Sequence, residues 1–171
     1  MKKLLLIILI LNFNLSFSQE IELIYEKEYE GAIFPKTYNI TYSNNLPNDK
    51  RFTPTKTEIR ELESRLRIYL KEISKNKTNR GKGDGPNIQR NLDKYVRQYI
   101  GFVDEKGQRI IHVNFVWNHY SFWNKIRGYE KPNDSWKSDW QFVLDGGSYY
   151  WNIDYIMTKN DFDNLNVNGI A

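Results

Sequence analysis

Hydrophobic and polar positions alternate most regularly between Lys94 and Trp117, where two runs rich in Val, Ile, Phe and Tyr flank the polar stretch Asp104-Glu105-Lys106-Gly107. A period of two is that of a strand, and a polar turn containing a glycine, which adopts positive φ at no steric cost, joins two such runs into a β-hairpin. With Asp104 to Gly107 as the turn, Gln98, Ile100 and Phe102 lie on one face and Arg97, Tyr99 and Gly101 on the other. On the return strand Ile111, Val113, Phe115 and Trp117 form an apolar stripe. His112, Asn114 and Val116 are expected to share the opposite, wetter face with Arg97 and Tyr99.

The second strong pattern has helical period. Between Pro54 and Ser74, Ile59, Leu62, Leu66, Tyr69, Leu70 and Ile73 fall on one stripe. The other positions, Glu58, Arg60, Glu61, Glu63, Arg65, Arg67, Lys71 and Glu72, predict a solvated face. Thr55 followed three residues later by Glu58 fits a capping box, and Pro54 is tolerated at a helix start.

Shorter alternations predict strands within Glu20–Glu30 and Lys36–Ser43, the latter followed by a loop at Asn44–Asp49. Asp139–Leu144 and Ser148–Met157 read as a second hairpin about Asp145-Gly146-Gly147, with Trp140, Phe142 and Leu144 on the face of Tyr149, Trp151 and Ile153. Asn160–Leu165 reads as a short final helix. Lys75–Pro86 has three glycines and no apolar residue, so it predicts a solvated loop. Its glycines do not make a phosphate loop, because the GxxxxGK[ST] spacing and a preceding apolar strand are both missing. One amphipathic helix and two hairpins make the expected fold α+β, with the helix packed on a curved, mainly four-stranded antiparallel sheet. That order resembles the outline of cystatin-like or nuclear-transport-factor-like folds, an analogy that carries no function.

Composition adds a compartment. Met1–Gln19 has two lysines, an apolar run from Leu4 to Leu11, and then Ser16 and Ser18, the pattern of a secretory signal peptide. Residues 20–171 are then expected to form a single α+β domain, secreted or periplasmic. The run is too short to span a bilayer, which takes about 20 residues, and no later stretch is longer, so no transmembrane segment is expected in the mature chain. The absence of cysteine excludes a lipobox and any disulfide, leaving the core alone to hold the fold. The 171 residues, 40% hydrophobic and 15% aromatic, suffice for one. The formal charge of +4 falls to +2 when Lys2 and Lys3 leave with the leader, and the remaining charge is polarised: basic over Lys75–Asn91, acidic from Asp134 onward. The leader ending in Ser18-Gln19, the Asp145-Gly146-Gly147 stretch with Tyr149-Tyr150-Trp151 after it, and the closing Asn168-Gly169-Ile170-Ala171 resemble small exported proteins of Bacteroidetes-type bacteria. That resemblance covers the leader and the C-terminal third and brings no catalytic residues with it.

Candidate chemistry is sparse. His112 and His119 are the only histidines, and neither has metal-ligand spacing to other donors, so no metal and no cofactor is expected. If the hairpins pair as supposed, Asp154 and Asn152 lie on the face of His112, and a His112–Asp154 dyad with Tyr99 or Arg97 nearby is the one enzymatic arrangement the chain suggests. A strand histidine on a half-wet face explains the same residues without catalysis. Ser121, Ser135 and Ser148 lack the GxSxG context of a nucleophile elbow. Asn118–Ser138 is too long for a hairpin link and too aromatic for disorder, so its aromatics are expected either to cap the end of the sheet or, beside Lys125, Arg127 and Lys131, to leave Tyr120, Trp123, Tyr129 and Trp136 as candidate ligand contacts. The aromatic-rich end is acidic, which excludes nucleic acid as the expected partner. The expected function is an exported binding or interaction module for a protein, peptide or glycan; the alternative is a small enzyme with a His112-centred pocket.

Overall fold

The computed structural model describes residues 20–40, 46–75 and 85–169. The expected leader and most of the basic loop, residues 76–84, lie outside them. Seven strands are present among the described residues: β1 (Glu22–Tyr25), β2 (Glu30–Ile33), β3 (Arg51–Phe52), β4 (Tyr95–Val103), β5 (Arg109–Trp117), β6 (Tyr150–Ile156) and β7 (Asp161–Val167). The long helix is α1 (Lys56–Lys75), and α2 (Phe122–Ile126) is a single short turn. The class is α+β, and the sheet runs β1-β2-β4-β5-β6-β7 with β3 also on β4. Only β2 against β4 is parallel. The sheet is thus wider than the four strands expected. β2 and β3 sit one after the other along the free edge of β4, and β7 closes onto β6.

Helix α1 begins where the capping box predicts. The Thr55 N–H donates to Glu58 Oε2 at 2.8 Å, and the Glu58 N–H returns to Thr55 Oγ1 at 3.3 Å. Its stripe of Ile59, Leu62, Leu66 and Leu70 is buried against Ile111, Val113, Phe115, Trp151 and Ile153, with the Phe115 and Trp151 rings stacked at 3.6 Å. The opposite side of the sheet carries a second core, in which Ala32, Phe34, Ile40, Leu46, Val96, Ile100 and Trp136 pack together. Both faces of the central strands are therefore covered.

The central hairpin forms, but its register reverses the expected faces. Asp104 and Gln108 pair through the Asp104 N–H and the Gln108 carbonyl at 3.0 Å, so the loop is the three residues Glu105-Lys106-Gly107, with Gly107 at φ 77. Asp104 Oδ1 accepts from the Lys106 and Gln108 N–H groups and locks this turn. A loop one residue shorter than the four read from composition moves every partner by one position. Ile100 consequently faces His112, and Gln98 faces Asn114, whereas Arg97 lies opposite Phe115 and Tyr99 opposite Val113, beneath α1.

Three further expectations are corrected. Asp139–Leu144 forms no strand, because β6 already pairs β5 on one edge and β7 on the other and has no ladder left to offer. Phe142 and Leu144 are accordingly exposed, while Trp151 and Ile153 are buried under α1. Asn160–Leu165 is not helical: a turn at Met157–Asn160, with Asn160 at φ 52, feeds directly into β7. Lys36 and Thr37 make a turn, the Tyr38 N–H donating to Pro35 O at 2.9 Å, and Tyr38 and Ile40 pack into the second core without forming a strand; residues 41–43 of that expected strand lie outside the described residues.

Candidate functional site

On the face away from α1, alternate residues of four neighbouring strands come into rows. One row is Gln98, Asn114, Asn152 and Asn166, crossing β4, β5, β6 and β7 in order. The next is Ile100, His112, Asp154 and Asp163. Four amides in line across a sheet are costly to bury unless each finds partners. The inner two do. Gln98 Nε2 donates to the carbonyls of Trp136 and Asp139 at 2.9 and 2.8 Å, while its Oε1 accepts from the Gln141 N–H at 2.8 Å and from Asn114 Nδ2 at 3.1 Å. Asn114 Nδ2 also donates to Gln141 O at 2.8 Å. These bonds tie residues 136–141 down over β4 and β5, together with Trp136 in the second core and the Trp140 N–H, which donates to Tyr38 OH at 3.1 Å.

The outer end of the sheet is open. Between β5, β6, β7 and the strap at residues 140–144 lies a cavity of about 830 Å³, floored by His112, Asn114, Asn152 and Asp154 and bounded by Trp140 and Tyr150. A second cavity of about 620 Å³ adjoins it, reaching Asn118, Tyr120, Tyr129 and Tyr149; Gln141, Val143 and Tyr150 border both. Gln141 and Val143 of the strap, with Tyr150, thus form the shared border of the two cavities.

His112 Nδ1 lies 2.7 Å from Asp154 Oδ1, and Asp154 Oδ2 accepts from Asn164 Nδ2 at 2.9 Å. The second contact depends on a register shift between Asn152 and Asp154, where β7 accommodates extra length and Asn164 stands at φ 53. Asparagine tolerates this left-handed conformation better than most residues, and the bulge re-aims its side chain toward Asp154. The Trp140 ring lies 5.9 Å from that of His112. An imidazole that donates Nδ1–H to Asp154 has Nε2 as a proton acceptor, so the pair can act as a base or as an oriented hydrogen-bonding group.

The structure thus brings His112, Asp154 and Asn152 together and keeps Arg97 and Tyr99 away from them. Those two meet Glu63 under α1: Tyr99 OH donates to Glu63 Oε1 at 2.8 Å, and Arg97 Nε reaches the same oxygen at 3.3 Å. Burial, reinforced by the Glu63 carboxylate, pushes the Tyr99 phenol well above its usual range. Glu63 itself is buried, a correction to the fully solvated helix face read from its neighbours. Of the aromatic candidates, Tyr120 and Tyr129 line the smaller cavity, with Tyr120 OH donating to Tyr129 O at 2.9 Å. Trp123 stands 66% exposed on α2, while Trp136, 2% exposed within the second core, also borders the smaller cavity. Sequence reasoning passed over Gln98, Trp140, Tyr150, Asn164 and Asn166. A signal existed for the last two, since Asn164, Asn166 and Asn168 alternate with Leu165 and Val167 at strand period.

Among the described residues no group of three or more His, Cys, Asp or Glu converges as a metal site, and no helix is long and apolar enough to cross a membrane. No family model, no curated protein and no solved structure matches this chain.

Proposed function

We propose that this chain is an exported binding module whose ligand lies in the groove on the face away from α1. The observation that carries this reading is the amide row: its inner half is consumed in holding the strap, and the side-chain amides of its outer half, Asn152 and Asn166, bond to no protein group among the described residues while flooring an open cavity. Concave sites with a few convergent polar groups and aromatic walls are where small ligands bind. Export rests on the Met1–Gln19 pattern, and an intact-mass measurement of the protein recovered from outside the cytoplasm tests it: loss of about 19 residues is expected, and retention of Met1 would refute it.

Binding is tested by probing the purified protein and its Asn152→Ala/Asn166→Ala variant on glycan and peptide arrays. Signals present in the wild type and lost in the variant are the expected outcome. If every signal survives in the variant, the ligand does not use this groove and the reading is wrong.

A second reading is favoured by the 2.7 Å His112–Asp154 contact: a small enzyme in which His112 is the general base. It predicts turnover of the bound ligand that His112→Ala removes while binding persists. A ligand recovered unchanged after prolonged incubation with wild type would dispose of it.

A further inference from the structure

The character of the groove narrows the ligand class. Among the described residues no lysine or arginine lines the larger cavity, and the smaller one is lined by one charge of each sign, Lys131 and Glu130, so an anionic ligand would meet no net compensating charge. Its two engaged carboxylates are already satisfied. Asp104 accepts from the Lys106 and Gln108 N–H groups and from Gln108 Nε2, and Asp154 is held by His112 and Asn164 Nδ2. A cation would therefore have to compete with bonds that the fold uses. The open polar groups on the floor are amides, Asn152 and Asn166, side by side on β6 and β7. A carboxamide presents two N–H donors and a carbonyl acceptor from one planar group. Its natural complement is a pair of neighbouring hydroxyls, one accepting and one donating.

The walls add an apolar component. Trp140 and Tyr150 border the larger cavity, and Tyr150 with Tyr120 and Tyr129 continues along the smaller one. Aromatic rings offer flat apolar area with a polar rim, which suits a ligand that has hydroxyls at its edges and C–H groups on its faces. A peptide in extended form would instead seek an unpaired sheet edge, where main-chain bonds supply its affinity. The groove is floored by side chains on the sheet's face and reaches the β7 edge, but a strand added along that edge would not engage Asn152 or His112 on β6 and β5.

We propose that the groove takes a neutral oligosaccharide, its hydroxyls on Asn152 and Asn166 and its ring faces against Trp140 and Tyr150, continuing past Gln141 into the smaller cavity. This deepens the binding-module reading and rests on it. The test is isothermal titration of the purified protein with neutral oligosaccharides (cello-, xylo-, malto- and manno- series), with polygalacturonate, a sulfated glycan and a mixed peptide library run beside them. At least one neutral series is expected to bind, longer members more tightly than the disaccharide. Asn152→Ala/Asn166→Ala should weaken that binding about tenfold or more, since each removed amide leaves ligand hydroxyls unpaired, without moving the melting temperature. Asn166→Ala alone, on an exposed edge strand, serves if the double variant does not fold. Binding confined to the acidic polymers, or neutral binding that both variants leave intact, overturns the proposal. Peptide binding that the variants abolish would also overturn it while leaving the binding-module reading in place. Binding of nothing in any class would sink both.

Discussion

Glu63 shows how much a single side chain can be asked to hold. Its Oε1 bonds both Tyr99 OH and Arg97 Nε, and Arg97, fully buried, is flanked by the rings of Tyr29 and Phe115 at 5.4 and 5.5 Å. Glu63→Ala would leave a buried guanidinium without its counter-ion, so a loss of about 3–5 kcal/mol is expected in denaturant melts. Replacing Glu63 and Arg97 together by Leu and Met should cost less than Glu63→Ala alone; a larger cost would show that the charge pair is not what the site depends on. The same cluster sets an alkaline limit. Burial, with the Glu63 charge next in importance, pushes the Tyr29 phenol from 10 up to about 12, and burial raises Tyr95 and Tyr99 as well. These groups hold their protons more tightly when folded, so their contribution is complete below pH 10 and is lost as pH rises toward 12. Denaturation midpoints should therefore fall above pH 10, with tyrosinate absorbance lagging in the folded protein relative to the denatured one. Equal titration of both states would contradict this. The two tryptophans of the long connection make a further pair at this scale. Trp136→Ala, deep in the second core, should cost about 3–5 kcal/mol, whereas Trp123→Ala, largely exposed, should stay within roughly 0.5 kcal/mol.

At the scale of elements, the helix and the central hairpin were legible because each is specified locally. The α1 stripe and its capping box depend on spacings of three and four residues, and the structure buries the residues they select. Leu66→Ala, at a fully buried position in the middle of that stripe, is expected to cost about 2–5 kcal/mol; a loss below roughly 0.5 kcal/mol would mean the face does not pack as seen. The hairpin's existence was equally legible, but its register was not. Whether the loop has three or four residues depends on where Gly107 sits within the turn and on the Asp104 side chain bonding two N–H groups, neither of which the alternation of hydrophobic residues reports. That single residue decides whether His112 faces Tyr99 or Ile100. β7 was missed for a different reason: as an edge strand with Asp161, Asp163 and Asn164 exposed, it carries little of the apolar content that marks strands in sequence.

For the whole molecule, the chain's own pattern determined the class: an amphipathic helix on a mainly antiparallel sheet, and a core without disulfides, both of which follow from short-range periodicity and composition. Tertiary structure decided the rest. The N-terminal strands reach β4 only by crossing some 60 residues of sequence, the Asp139–Leu144 strap is excluded from the sheet because β7 takes the edge it would need, and the amide row exists only once four strands from distant segments are in register. Such pairings are fixed by competition for a limited number of strand edges, which no local window contains. The polar groove follows from that competition: Gln98 and Asn114, unremarkable one at a time, become the clamp on residues 136–141, and Asn152 and Asn166 become the floor beside it.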